Sequence, residues 1–259
     1  MNCFLLIGAS SFALCSMGLI SALRCSAGWR AWVCYQIARA HSILFTRWQA
    51  ENPCTFPEDG AALIVANHTS PVDPVVLWIR HFSGFRRKRL RVIGFLMARE
   101  YFDQGGIVGW VCRAMEAIPV GRSGRDMGPV QVALRRLQSG QLLGIFPEGR
   151  LNLTAPDTQL LPGGTGVAWL ALKSEVPVLP VFIRDSPRGK TMAGCFLTFS
   201  RTRVIYGPPI DLTLWHGQRI SHTVLVEVTN LIMQRLAELG EIGWTPLEAS
   251  RWTESRSVP

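Results

Sequence analysis

From Ala61 onward, short apolar runs alternate with amphipathic stretches of helical length, and this alternation restricts the fold more than any other feature of the chain. The runs AALIVAN (61–67), LRVIGFLM (90–97), EAIPV (116–120), LLGIFP (142–147), VLPVFI (178–183) and RVIYG (203–207) predict strands. Between or after them, PVVLWIRHF (74–82), GGIVGWVCRAM (105–115), VQVALRRLQSG (130–140), TGVAWLALKSE (165–175) and SHTVLVEVTNLIMQRLAEL (221–239) predict helices. Repetition of strand and helix is the pattern of an α/β domain with a central, mostly parallel sheet flanked by helices. At 259 residues the chain accommodates one large catalytic domain and an additional element.

That element is N-terminal. Cys3 to Leu23 is a run of 21 residues without a charge, about 30 Å as a helix and long enough to cross a bilayer or to lie in one. A cleaved signal peptide is the competing reading, but no Lys or Arg precedes the run. Arg24, Arg30, Arg39 and Arg47 all follow it, which under the positive-inside rule keeps the downstream chain cytoplasmic. The expectation is a retained anchor that holds the protein on the cytoplasmic face of a membrane.

The next stretch, GWRAWVCYQIARAHSILFTRWQAE (28–51), repeats Trp29, Trp32, Val33, Ile37, Ile43 and Leu44 near helical spacing, with arginines elsewhere. It reads either as an interfacial amphipathic helix or as a helix covering the domain core. ENPCTFPEDG (51–60) then punctuates the chain with two prolines and a glycine. The expected division is a membrane-anchoring helical region at 1–50, the α/β domain at 51–240 and a mobile tail at 241–259.

Composition agrees with a lipid-facing protein. Apolar residues make up 48% and charged residues only 17%, against roughly 25% charged in ordinary globular domains. The net charge of +9 suits an anionic partner. FRRKRLR (85–91) fits anionic lipid better than nucleic acid, because no nucleic-acid module surrounds it. Seven cysteines without CxxC spacing indicate neither a disulfide framework nor a zinc site. RDSPRGKT (184–191) ends like a phosphate-binding loop, but Arg184 stands where the first glycine of that motif belongs, so it reads as a basic loop.

The chemistry concentrates in ANHTSPVD (66–73), directly after the first strand. Ser70 and Pro71 resemble an N-cap followed by proline at the first helical position, which puts His68 in the strand-to-helix turn. On an uninterrupted helix, residues five apart would point ~140° away from each other; a turn removes that obstacle. Asp73 has two readings: a capping-box acid that satisfies backbone donors, or the carboxylate that orients His68 as a general base. GIFPEGR (144–150) and AIPVGR (117–122) each end an apolar strand with glycine and arginine. Gly149 permits close backbone approach, and Arg122 and Arg150 offer planar forks for phosphate at the sheet edge where open α/β folds bind ligands. VPVLPVFI (176–183) carries two prolines in a strand, as an edge strand would, or as a segment lining a lipid or substrate channel would.

In this order, the segments resemble the glycerolipid acyltransferase superfamily, which includes the 1-acylglycerol-3-phosphate acyltransferases. The resemblance spans about Ala61 to Ile210: Asn67, His68 and Asp73 match the first block, Arg122 the second, Phe146 to Gly149 the third and Val176 to Val181 the fourth. It implies that His68, oriented by Asp73, deprotonates the free hydroxyl of a lysophospholipid, most simply 1-acylglycerol 3-phosphate. The alkoxide then attacks the thioester of acyl-CoA or acyl carrier protein. Arg122, Glu148, Gly149 and Arg150 would hold the acceptor's polar head. The resemblance implies no metal, no cofactor beyond the acyl donor and no covalent acyl-enzyme, and the chain lacks a GxSxG elbow.

The third block departs from the commonest family form, Phe-Pro-Glu-Gly-Thr-Arg, because Arg150 directly follows Gly149 and Leu151 stands where the arginine would be. Another acceptor, such as a lyso-aminolipid or glycerol 3-phosphate, therefore stays open, as does a non-catalytic membrane-binding role for the same fold. Partners expected from the whole reading are membrane lipid and the acyl donor, not nucleic acid; oligomeric state is not legible.

Overall fold

The computed structural model describes residues 18–83, 89–121, 126–155, 157–189 and 191–248. Residues 3–17 of the expected anchor, most of the basic run 85–91, Arg122 and the last residues of the tail lie outside them. Residues 18–23 are helical, and among the described residues no helix is long and apolar enough to cross a membrane.

The sheet has seven strands: β1 (Gln49–Glu51), β2 (Ala62–Ala66), β3 (Ile93–Ala98), β4 (Ile118–Val120), β5 (Leu142–Ile145), β6 (Val178–Arg184) and β7 (Arg203–Tyr206). Their order is β1-β7-β6-β2-β5-β3-β4. The five strands from β6 to β4 are parallel; β7 runs antiparallel to β6, and β1 is parallel to β7. The helices are α1 (Gly28–His41), α2 (Asp73–Ser83), α3 (Arg99–Asp103), α4 (Gly106–Ala114), α5 (Gly128–Gln138), α6 (Gly166–Ser174), α7 (Met192–Phe196) and α8 (His222–Gly240).

β2 is buried along its whole length, as a central parallel strand covered on both faces must be. Leu63 and Val65 belong to one apolar cluster with α5, α6 and α8, whereas Ala62, Ile64 and Ala66 belong to another with α1, α2 and α4. Connections that move along the sheet toward β4 (α2, α4) use one face and those that move back (α5, α6) use the other. A common crossover hand requires this arrangement. The outgoing turns of β2 and β5, adjacent strands, thus leave in opposite directions and open a crevice at their C-terminal ends.

Four features bear on the readings of the sequence. β1 draws residues 49–51 into the sheet beside β7, so the sheet takes in residues on both sides of the expected boundary at 50/51. α1 covers the core with Ala31, Cys34, Ala38 and His41, and the Tyr35 ring meets Trp78 of α2 edge-on. The proline-bearing strand is no edge strand: β6 lies between β2 and β7 with six of its seven residues buried. Pro180 is tolerated because its carbonyl accepts from Gly207, just past the end of β7. The N–H that Pro180 lacks would point to that same side, where the ladder has ended. Finally, residues 241–248 do not trail free. Gly243 bonds Thr158 and Leu160, and Asn230 of α8 holds both backbone groups of Leu247.

Tight packing reaches the functional crevice through Gly144 of β5. A Cβ there would come within 2.1 Å of the Phe95 ring, and Phe95 stacks on Phe146 with centroids 5.4 Å apart. Gly144→Ala is expected to cost about 1–3 kcal/mol, as overpacking of a dense core does. Urea denaturation checks it, and unchanged stability would show that Phe95 can yield.

Candidate active site

Asn67 closes β2 by continuing its ladder with a side chain. Its Nδ2 donates to the Ile183 carbonyl at 2.9 Å, and its Oδ1 accepts the Ile183 N–H at 2.7 Å. The clamp pins the C-terminal end of β2 to β6, so the next residue, His68, enters the turn from a fixed point.

The turn then folds around Asp73. Its Oδ2 accepts the N–H groups of Thr69 and Ser70, both at 2.8 Å, and lies 3.0 Å from His68 Nδ1. Ser70 Oγ accepts the Val72 N–H at 3.3 Å. Asp73 thus satisfies the turn's backbone donors and at the same time faces the imidazole. Pro71 falls in the turn rather than at the first helical position, since α2 begins at Asp73.

The Asp73 side chain is fully buried, whereas His68 keeps 18% of its side chain exposed. A carboxylate at Nδ1 fixes the tautomer that carries the proton there and leaves Nε2 as the base. Among the described residues none bonds Nε2. The imidazole also lies flat on Phe146, with centroids 4.0 Å and planes 11° apart, which limits rotation about the Asp73 contact.

Glu148 sits behind the base. Its Oε1 accepts the His68 N–H and its Oε2 the Leu161 N–H, both at 2.8 Å. The His68 carbonyl in turn accepts from the Asn152 N–H at 2.7 Å. The structure thus gives the Glu148 carboxylate to backbone amides, tying the β2 turn to the loop after β5. Burial raises its pKa above the usual glutamate range. The two amide bonds and the His68 charge oppose that rise, and Asp73 adds to it.

Gly149 adopts φ +66°, a left-handed conformation that favours glycine and explains why this residue follows Glu148. Arg150 next to it is exposed, with no side-chain partner among the described residues. Arg122 lies outside the described residues, two positions beyond the end of β4. Sequence reasoning passed over Arg99, which follows the last residue of β3 and is exposed at the same sheet edge; strand, then arginine, was the signal already used for Arg122. Among the described residues no cluster of His, Cys, Asp or Glu could hold a metal ion.

A buried aspartate thus lies on Nδ1 of a partly exposed histidine at a strand end. The acyltransferase family model matches residues 47–184, which contain this whole arrangement. The chain belongs to the acyltransferase family.

It is 23% identical over 192 residues to the 1-acyl-sn-glycerol-3-phosphate acyltransferase of Bacillus subtilis (strain 168), covering 73% of this chain and 85% of that one. It is 33% identical over 137 residues to an uncharacterized protein of Mycobacterium tuberculosis (strain H37Rv), covering 50% of this chain and 35% of that one. In fold it is similar to the crystal structure of the 1-acyl-sn-glycerophosphate (LPA) acyltransferase PlsC from Thermotoga maritima. The TM-score is 0.61 at 21% identity, with 89% of each chain covered.

The raised pKa of Glu148 gives a signed expectation for this acyltransferase. A carboxyl whose folded pKa exceeds its unfolded value of about 4.3 contributes stability that is complete below that value. The contribution fades as pH rises through the folded pKa. Glu148→Gln does not titrate, so its stability should fall less steeply with pH than the wild type's in the window just above ~4.3. Urea denaturation at stepped pH measures the two slopes, and equal slopes would contradict the assignment.

Proposed function

We propose that this acyltransferase moves a fatty acyl group from an acyl thioester to the free hydroxyl of a lysophospholipid, with 1-acylglycerol 3-phosphate as acceptor and phosphatidate as product. The observation that carries the reading is His68, held at Nδ1 by buried Asp73 and, among the described residues, without a partner at Nε2. Nε2 takes the hydroxyl proton as the acceptor oxygen attacks the thioester carbonyl, and Asp73 stabilises the imidazolium that forms. The C–O bond forms, the C–S bond breaks, and His68 returns the proton to the departing thiolate. Acyl-CoA or acyl carrier protein supplies the thioester, and no step calls for a metal or an acyl-enzyme.

Arginines carry the choice of acceptor. Arg99, Arg122 and Arg150 follow the C-terminal ends of β3, β4 and β5, which are neighbouring strands or nearly so. Arg99 and Arg150, exposed past the ends of the neighbouring strands β3 and β5, offer guanidinium groups that suit a phosphate monoester. Gly149 lets the acceptor approach the backbone, and Glu148 serves it by holding the loop that carries Gly149 and Arg150. The relationship to the Bacillus subtilis enzyme, which covers 85% of that protein, supports the same acceptor.

The expected test is transfer of labelled acyl groups to a panel of lysophosphatidate, glycerol 3-phosphate and lyso-aminolipid. His68→Ala should lower kcat by at least about 10²-fold. Arg150→Ala should raise KM for lysophosphatidate by about tenfold or more, with kcat little changed. Near-wild-type turnover by His68→Ala would sink the base assignment, and preference for a lyso-aminolipid would replace the acceptor.

In this reading the reaction takes place at the cytoplasmic face of a membrane, with the region before β1 as the anchor. Trp29, Ile37, Ile43 and Leu44 are all about half exposed or more, while Ala31, Cys34 and Ala38 cover the core. Arg30, Arg39 and Arg47 lie among them, a composition suited to an anionic lipid surface. Carbonate extraction should leave the full-length protein with membranes; its release would remove the anchor.

A further inference from the structure

In sequence, RDSPRGKT (184–191) is a basic loop after a strand. In the fold, its first residues lie against the His68 turn. Three ties join them: the Asn67 clamp on Ile183, the Ser70 hydroxyl donating to the Pro187 carbonyl, and the Ser186 hydroxyl donating to Asp73 Oδ1 at 2.7 Å.

The third tie bears on catalysis. Asp73 Oδ2 takes three donors, all from its own turn, while Oδ1 takes Ser186, its one donor among the described residues. The χ2 torsion of an aspartate is broad, so donors clustered on one oxygen leave the carboxylate plane free to swing. A donor on the second oxygen fixes that plane. Ser186 is 4% exposed, which leaves water little room to substitute for it.

The local sequence is suited to this task. Asp185 adopts φ +58°, a left-handed conformation that aspartate tolerates better than most residues. The Arg203 guanidinium holds it there, with Nε and Nη2 at 3.3 and 3.1 Å from Asp185 Oδ2. Pro187 restricts the residue before it to extended backbone. Asp-Ser-Pro thus turns the chain at the end of β6 and presents one hydroxyl to a carboxylate 113 residues away.

We propose that Ser186 is a positioning residue for the general base: its hydroxyl fixes the plane of the Asp73 carboxylate so that Oδ2 stays aimed at His68 Nδ1. The inference rests on the reading of His68 and Asp73 as base and partner, and its effect falls on kcat rather than on substrate binding.

The test uses steady-state kinetics of the full-length enzyme with an acyl thioester and its preferred lysophospholipid. Ser186→Ala should lower kcat by about 10- to 100-fold, the worth of a hydrogen bond to a charged group. Both KM values should stay within about twofold, because no substrate contact is lost. Ser186→Thr, which keeps the hydroxyl, should recover activity to within a few fold. Ser186→Cys, close in size but a weak donor, should fold like the wild type and still lose kcat, which separates the hydrogen bond from packing. In an Asp73→Asn background, Ser186→Ala should change kcat less than about threefold, since residues acting as a unit are not additive. Wild-type kcat in Ser186→Ala while His68→Ala is inactive would overturn the proposal, as would losses that multiply with Asp73→Asn. Activity in His68→Ala would instead overturn the base reading beneath it.

Discussion

A single buried carboxylate organises the site. Asp73 gathers two backbone amides, an imidazole and a serine hydroxyl, and those donors come from the turn it closes and from the segment after β6. Burying a charge is costly unless every lone pair finds a donor, so the turn cannot rearrange without exposing that cost. The same bonds that make Asp73 tolerable inside the protein aim it at His68. Helix capping and catalytic orientation are one arrangement.

Around that carboxylate, the sheet supplies the fixed frame. Asn67 extends the β2–β6 ladder by one side chain, and Glu148 joins the β2 turn to the loops that follow β5. His68 is therefore held through its backbone N–H and carbonyl, its Nδ1 and the face of its ring, and among the described residues only Nε2 is left without a partner. The proposed reaction requires one nitrogen beside an acceptor hydroxyl, and pre-organised neighbours place it there without cost at the moment of reaction. Phe95 and Phe146 carry the restraint back into the core, where Gly144 leaves them the space.

Much of this was legible in advance, and the reasons differ by element. The strands around β2, β3, β5 and β6 stand out because buried parallel strands are continuous apolar runs. His68, Asp73, Gly149 and Arg150 were visible because they follow such runs closely. β1 was not: Gln49–Glu51 has no apolar pattern, and its place beside β7 depends on a partner about 150 residues away. Pro180 left an edge strand and a channel-lining segment both open, because sequence shows the missing donor but not which side of the strand it faces. The acceptor-holding role of Glu148 came only from the family resemblance, and sequence does not show that its carboxylate accepts from the His68 and Leu161 amides.

The amino-acid order alone determined the α/β alternation, the strand-to-turn placement of the histidine and the family to which the blocks point. The first two follow from local periodicity and turn chemistry, and the third from the resemblance of four blocks in their order along the chain. Only the tertiary structure decided that Asp73 faces His68 while capping its own turn, that Glu148 serves backbone amides and that Ser186 reaches Asp73. The last two contacts depend on where the strand ends of β2, β5 and β6 meet, and a parallel sheet brings together residues that sequence keeps far apart.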